Sequence, residues 1–312
     1  MNWIDLLSRP LPQSRRKIAA ASIPTKKMGV AMTSQDNINR HTWTKASSML
    51  WLDMQTDFIP GEREAFTCAI ANLRGRPILE LGVGTGRTIP FTAPLASDYR
   101  ALDYLANMVD SCRERYPALR IDLGDARTLE GLPDNHFGLV TFAFNGIDAV
   151  SHADRAQVLR AARRVLVPGG VFFFSTLNLD GPEPRKRPWT EPVPLDPSWN
   201  PLRLGVRSLR AARWAVVSIG NWLRMQSIIE RGDGYVVAPM GAHDFGILAH
   251  YTTLSRQLDE LAAAGFERGA RVFSATDGAQ IDERADTSKI LFFHIVATAR
   301  TQDNGVADLP GR

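Results

Sequence analysis

From residue 77 onward, short apolar runs alternate with stretches whose apolar positions recur every three to four residues, the sequence form of strand followed by helix. Strands are predicted at 77–81, 99–103, 119–123, 137–144 and 171–175. Helices are predicted from Arg87, interrupted by Pro90 and Pro94, then over 106–115 and 154–166, the last leading to a turn at Pro168, Gly169 and Gly170. Such alternation builds a parallel sheet with helices on both faces. The pattern resumes where Thr252 and Thr253 cap a helix over 254–264 that Gly265 ends, and two strands follow at 271–275 and 290–298. Upstream, Trp43, Met49, Leu50, Trp51, Met54 and Phe58 recur at helical spacing, and Pro60-Gly61 separates them from a second helix over 62–73.

Residues 179–246 interrupt the alternation. The stretch 180–201 holds seven prolines and two tryptophans, Trp189 and Trp199, and reads as an ordered extended loop. The stretch 202–229 reads as a helix with Arg203, Arg207, Arg210 and Arg213 on one face and Val216, Val217, Trp222, Leu223 and Ile228 as an apolar portion. The whole insertion suits a lid or a dimerisation element.

The first strand runs into Gly82, Gly84 and Gly86, with Glu80 at its end. Glycines there admit positive φ and let backbone N–H groups approach a ligand. A dinucleotide fingerprint needs its third glycine at 87, which is Arg87, and a Walker loop needs Gly-Lys-Ser/Thr, which is absent. Asp103 ends the second strand, Gly124-Asp125-Ala126 the third, and Phe144-Asn145-Gly146 the fourth. A carboxylate at the end of the second strand can accept ribose hydroxyls.

These motifs, in this order, resemble those of class I S-adenosylmethionine (SAM) dependent methyltransferases of the small-molecule type. The resemblance runs from residue 78 to about 298. It implies a doubly wound, mostly parallel, seven-stranded Rossmann-like sheet with an antiparallel last strand and a helical lid insertion. It implies SAM as cofactor, with Glu80, Gly82, Gly84 and Gly86 near the methionine part, Asp103 on the ribose, and Tyr104 and Met108 at the adenine edge. Asp125 and the Ala126 N–H would meet the adenine, and Phe144 and Asn145 would stand beside the transferable methyl group. The strand end Phe-Ala-Phe-Asn lacks the proline-rich tetrapeptide of enzymes that methylate nucleobase amines. The chain is thereby divided into a basic arm (1–42), N-terminal helices (43–76), a SAM-binding core (77–178), the insertion (179–246), the end of the core sheet (247–299) and a tail (300–312).

Charge adds one detail. The net charge is +4, yet residues 1–45 hold eight Lys/Arg against two acids, so the remainder is near neutral and nucleic acid is not an expected partner. The arm reads as solvated and poorly ordered. Cys68 and Cys112 cannot make a disulfide framework, and no apolar run is long enough to span a bilayer, both of which fit a cytoplasmic protein.

The expected reaction is transfer of a methyl group to N or O of a small acceptor by in-line displacement, for which positioning supplies most of the rate and no metal is needed. His152, His243 and His250 are candidate bases or acceptor-positioning groups. Trp189, Trp199, Trp222 and Tyr251 are candidate contacts for an aromatic or anionic small molecule. Two alternatives stand beside this reading: an RNA or protein methyltransferase anchored by the arm, and a SAM-binding protein without turnover.

Overall fold

The computed structural model describes residues 33–71, 73, 75–191 and 201–301. Residues 1–32 of the expected arm, residues 192–200 of the proline-rich loop with Trp199, and the tail beyond 301 lie outside the described residues.

Five strands run parallel: β1 (Ile78–Leu81), β2 (Tyr99–Asp103), β3 (Arg120–Leu123), β4 (Phe137–Phe142) and β5 (Leu166–Asn178), in the spatial order 3-2-1-4-5. Every residue of β1 and β4 is buried, as expected of strands covered on both faces. The two-residue period sorts their side chains: Phe172 and Phe174 enter one core cluster and Phe173 the other. Each such buried aromatic contributes roughly 1.5–3 kcal/mol.

Beyond the strands lie three segments that sequence pattern described incompletely. The first is a wing made of β6 (Glu230–Gly232), β7 (Tyr235–Met240) and β8 (Ile247–Thr252). β8 pairs in parallel with the last two residues of β5, and β7 and β6 follow antiparallel, so the wing extends the carboxyl end of β5. The insertion therefore contains strands as well as helix and runs to Thr252, six residues past the expected boundary. The second is β5, eight residues longer than expected. Its ladder with β4 skips from Leu166 to Val171, which turns the expected break at Pro168, Gly169 and Gly170 into a bulge within the strand.

The two expected last strands finish the sheet, with a short third strand in the loop between them. β9 (Arg271–Ser274), β10 (Gln280–Ile281) and β11 (Phe292–Thr298) close its other edge, with β11 antiparallel between β5 and β9.

The helices are α1 (Ser34–Trp43), α2 (Ala46–Asp53), α3 (Pro60–Ile70), the short α4 (Ile89–Thr92), α5 (Ala106–Arg115), α6 (His152–Val165), α7 (Pro201–Met225) and α8 (Leu254–Ala263). α6 and α8 contribute Val158, Leu159 and Leu261 to one face of the sheet, and α3 and α5 contribute Phe66 and Val109 to the other.

The third segment is α1, which corrects the expected extent of the arm. Thr33 and Asp36 form a reciprocal capping box at its start. Its buried face is polar, made of Gln35, Asp36, Asn39 and Thr42. Asn39 donates to Leu248 O (2.8 Å) and accepts from Leu248 N (2.9 Å), while Gln35 donates to Leu248 O (3.1 Å) and Thr42 to Gly246 O (2.6 Å). A helix whose inward side is amide and hydroxyl leaves no apolar stripe for a pattern search to find.

Candidate cofactor and acceptor site

A cavity opens at the carboxyl ends of β1, β2 and β4, enclosing about 950 Å³ with its opening. Gly82 and Gly84 wall it, with φ of +59° and +57°. A Cβ on Gly82 would lie 2.6 Å from the Phe142 ring, so both conformation and space require glycine there. The Gly84 N–H donates to Asp103 Oδ2 (2.9 Å), and the Leu105 N–H to Asp103 Oδ1 (2.9 Å). The glycine loop thus fixes the orientation of this carboxylate. A carboxylate offers about four acceptor positions, so capacity remains for a ribose hydroxyl. Burial pushes the Asp103 carboxyl up to about 6, against the opposing pull of these backbone donors. Tyr104, Leu105 and Met108 continue the wall.

Asp125 and Ala126 also line the cavity. Asp125 is held in a fork by Arg127, whose Nη2 lies 2.7 Å and Nε 3.0 Å from Asp125 Oδ2. The same guanidinium donates to Asp36 of α1 (3.1 Å) and Asp154 of α6 (3.0 Å). Sequence reading missed Arg127 and Asp36, although each stands within two residues of a motif or cap signal.

Phe144 and Asn145 line the cavity where β4 ends, at φ +55° and +61°. Left-handed backbone is costly for phenylalanine, of order 1 kcal/mol or more, and persists where surroundings fix it. Here the Asn145 N–H donates to Ser175 Oγ (2.6 Å), and the Phe144 ring lies against Arg87 and Trp51. Trp43 and Leu52 line the cavity from the helices, facing the apolar Phe142 and Val150.

Other expected site residues lie elsewhere. Glu80 is buried behind the loop, where it accepts from the hydroxyls of Thr88, Thr92 (3.0 Å) and Tyr99 (2.7 Å), and burial raises its pKa. Its role is to tie β1 to α4 and β2. Gly86 packs against Tyr116 and Cys112 below the loop and does not line the cavity. Tyr251 is fully buried in the core of the wing. Trp189 meets Trp222 edge to face at 4.8 Å beside α7, away from the cavity lining.

None of the three expected histidines lines the cavity. His152 Nδ1 lies 3.0 Å from His250 Nε2, and His152 stacks on Tyr235; burial lowers both histidines' pKa. His243 stands behind Trp43 and Trp51, its ring 4.7 Å and 5.0 Å from theirs, and burial pushes it down to about 4. Its Nδ1 is 3.1 Å from Ser48 Oγ, whose single proton goes to Thr42 O (2.9 Å). With its pKa lowered by burial, His243 is a neutral support for the two tryptophans. Among the described residues no cluster of His, Cys, Asp and Glu could hold a metal ion.

Comparison with known proteins follows this geometry. Residues 78–170 match a family model described as a methyltransferase domain. A protein of Mycolicibacterium smegmatis named "Probable S-adenosylmethionine-dependent methyltransferase" is 36% identical over 118 residues, which is 38% of this chain and 42% of that one. The ubiquinone biosynthesis O-methyltransferase of Methylococcus capsulatus is 26% identical over 199 residues, covering 62% and 65% of the two chains. The chain thus spans less than two thirds of the length of either relative. A solved SAM-dependent methyltransferase from Clostridium acetobutylicum shares the fold, with a TM-score of 0.50 at 11% identity over 83% of this chain and 97% of that one.

Residues 78–170 thus form a methyltransferase domain of the SAM-dependent kind, and SAM is the cofactor of such domains. The residues present fit that molecule. Asp103 retains acceptor capacity, Gly84 leaves space where a side chain would stand, and Asp125 stands with Ala126 beyond the end of β3.

Proposed function

We propose that the protein transfers a methyl group from SAM to an oxygen or nitrogen of a small, largely apolar acceptor. The supporting observation is the mixed lining of the cavity. Asp36, Asp103, Asp125 and Arg127 share it with Trp43, Leu52, Phe142, Phe144 and Val150. The charged groups can hold a ribose and a base. The apolar ones offer surface to an apolar or ring-bearing molecule and exclude water from it.

Bound SAM supplies an electrophilic methyl on a sulfonium, so the protein's task is to aim an acceptor lone pair and keep it desolvated. Asn145 places an amide in the cavity lining. Its carbonyl or amino group would hydrogen-bond the acceptor's hydroxyl or amine, while the Ser175 contact fixes its backbone. The named role of the Methylococcus relative favours a hydroxyl acceptor. With no histidine lining the cavity, proton loss from that hydroxyl would go to solvent.

The test is calorimetry with SAM, followed by transfer of labelled methyl to panels of small phenols, amines, RNA and protein. Transfer to a phenol or amine, reduced roughly 10²-fold in kcat by Asn145→Ala with SAM affinity preserved, is expected. Label appearing only in RNA or protein would overturn the acceptor class, and a failure to bind SAM would overturn the whole reading.

A further inference from the structure

α7 presents a face that the rest of the described molecule leaves uncovered. Leu209 and Val216 are each 73% exposed and Leu223 is 59% exposed. Their seven-residue spacing aligns them in one stripe about 21 Å long. Trp189, 60% exposed, stands beside the helix through its contact with Trp222. A stripe of this size on a globular surface marks an interaction site.

Charge identifies the occupant. The 25 residues of α7 contain five arginines and no acidic residue. Arg210, Arg213 and Arg224 are exposed and lie at the margin of the stripe. A second copy of the chain laid along the same stripe would set arginine rows against each other, with no carboxylate on either helix to neutralise them. An apolar stripe with an arginine margin and a flanking tryptophan instead complements a bilayer interface, where aliphatic side chains enter the acyl boundary and arginines meet lipid phosphates. Among the described residues no helix is long and apolar enough to cross a membrane, so the arrangement is a surface one.

We infer that α7 and Trp189 form a docking face for an anionic lipid surface. The helix that carries the face adjoins the cavity through its inner side: Asn221 of α7 donates to Asp244 O (2.9 Å), and the neighbouring His243 supports Trp43 and Trp51. Docking would hold that side of the cavity close to apolar molecules dissolved in the bilayer.

The full chain should float with vesicles of phosphatidylcholine and phosphatidylglycerol in equal amounts, and bind vesicles of phosphatidylcholine alone roughly tenfold more weakly. Raising salt should release it. The triple variant Leu209→Glu, Val216→Glu, Leu223→Glu should lose flotation while keeping SAM affinity. Because that change is drastic, the variant Arg210→Gln, Arg213→Gln, Arg224→Gln serves as a second probe; it should lose the preference for anionic vesicles. Equal binding to both vesicle types, or none to either, would overturn the inference. So would a dimer in sedimentation that the stripe variant dissolves, since the stripe would then be an interface between copies.

Discussion

The two walls of the cavity are held by different chemistry. The sheet-side wall, from Gly82 to Asn145, rests on strands whose buried residues are mostly apolar, with Phe172, Phe173 and Phe174 filling both faces. The opposite wall rests on α1, whose buried face is Gln35, Asp36, Asn39 and Thr42, hydrogen-bonded to the backbone of β8. Apolar burial is non-directional and tolerates repacking; amide-to-backbone pairing is directional and fails when one partner is removed. The cofactor platform is therefore robust in composition, and the helix over it is fixed by geometry.

Arg127 joins the two walls, and its removal should have the largest effect. It pairs with Asp125 from the sheet side, Asp36 from α1 and Asp154 from α6, and all four side chains are mostly buried. Arg127→Met leaves three carboxylates without a counter-ion, a loss of about 3–5 kcal/mol. Urea unfolding should show it as a lower midpoint. If the midpoint does not move, the walls are coupled elsewhere.

Asn39→Leu separates the two chemistries more finely. The variant keeps the volume and leaves the buried Leu248 N–H without its acceptor, at a cost of about 2 kcal/mol, while Gln35 still donates to Leu248 O. Phe173→Leu on the sheet side, by contrast, should cost about 1–1.5 kcal/mol. Equal losses at the two positions would dissolve the contrast between the walls.

That contrast also explains what the sequence revealed. β2 and α5 fall where the apolar and helical periods put them, because burial of apolar residues made those elements. The ends of β1, β2 and β3 carry Gly82, Asp103 and Asp125 at the cavity because strand ends are where such a fold exposes ligands. α1 was hidden by its polar inner face. β7 was hidden by Pro239 within it, and without β7 and β8 His250 and Tyr251 looked like loop residues near an opening rather than buried members of a strand. Trp43 and Trp51 stood out as apolar helical positions, but only the packing of α1 and α2 directs them to the cavity side.

Asp103 tests the sheet-side wall by pH. Burial raises its pKa to about 6, so the folded state holds this proton more tightly than the unfolded chain does. Its contribution to stability accordingly improves as pH falls from about 6 toward the ordinary carboxylate value near 4. Cofactor affinity has the opposite sign, because a ribose hydroxyl needs the carboxylate as acceptor. SAM affinity should fall about tenfold between pH 7 and pH 5, and Asp103→Asn should bind weakly and lose this dependence. A SAM affinity that is flat over this range in the unsubstituted protein would remove Asp103 from the ribose site.

The smallest effect is expected at Glu80, where motif and geometry diverge. As a group near the methionine end of the cofactor, its loss should weaken SAM at least tenfold. The structure instead closes it off behind the loop with three hydroxyl donors and raises its pKa by burial, so that a neutral side chain of the same shape can replace it. Glu80→Gln should therefore change SAM affinity by less than about threefold, since the carboxamide oxygen can still accept from Thr92 and Tyr99 while its amino group donates to the Thr88 hydroxyl. Calorimetry decides between the two. A tenfold loss with unchanged urea stability would mean that Glu80 acts on the cofactor, whereas equal small changes in both would assign it to the seam between β1, β2 and α4.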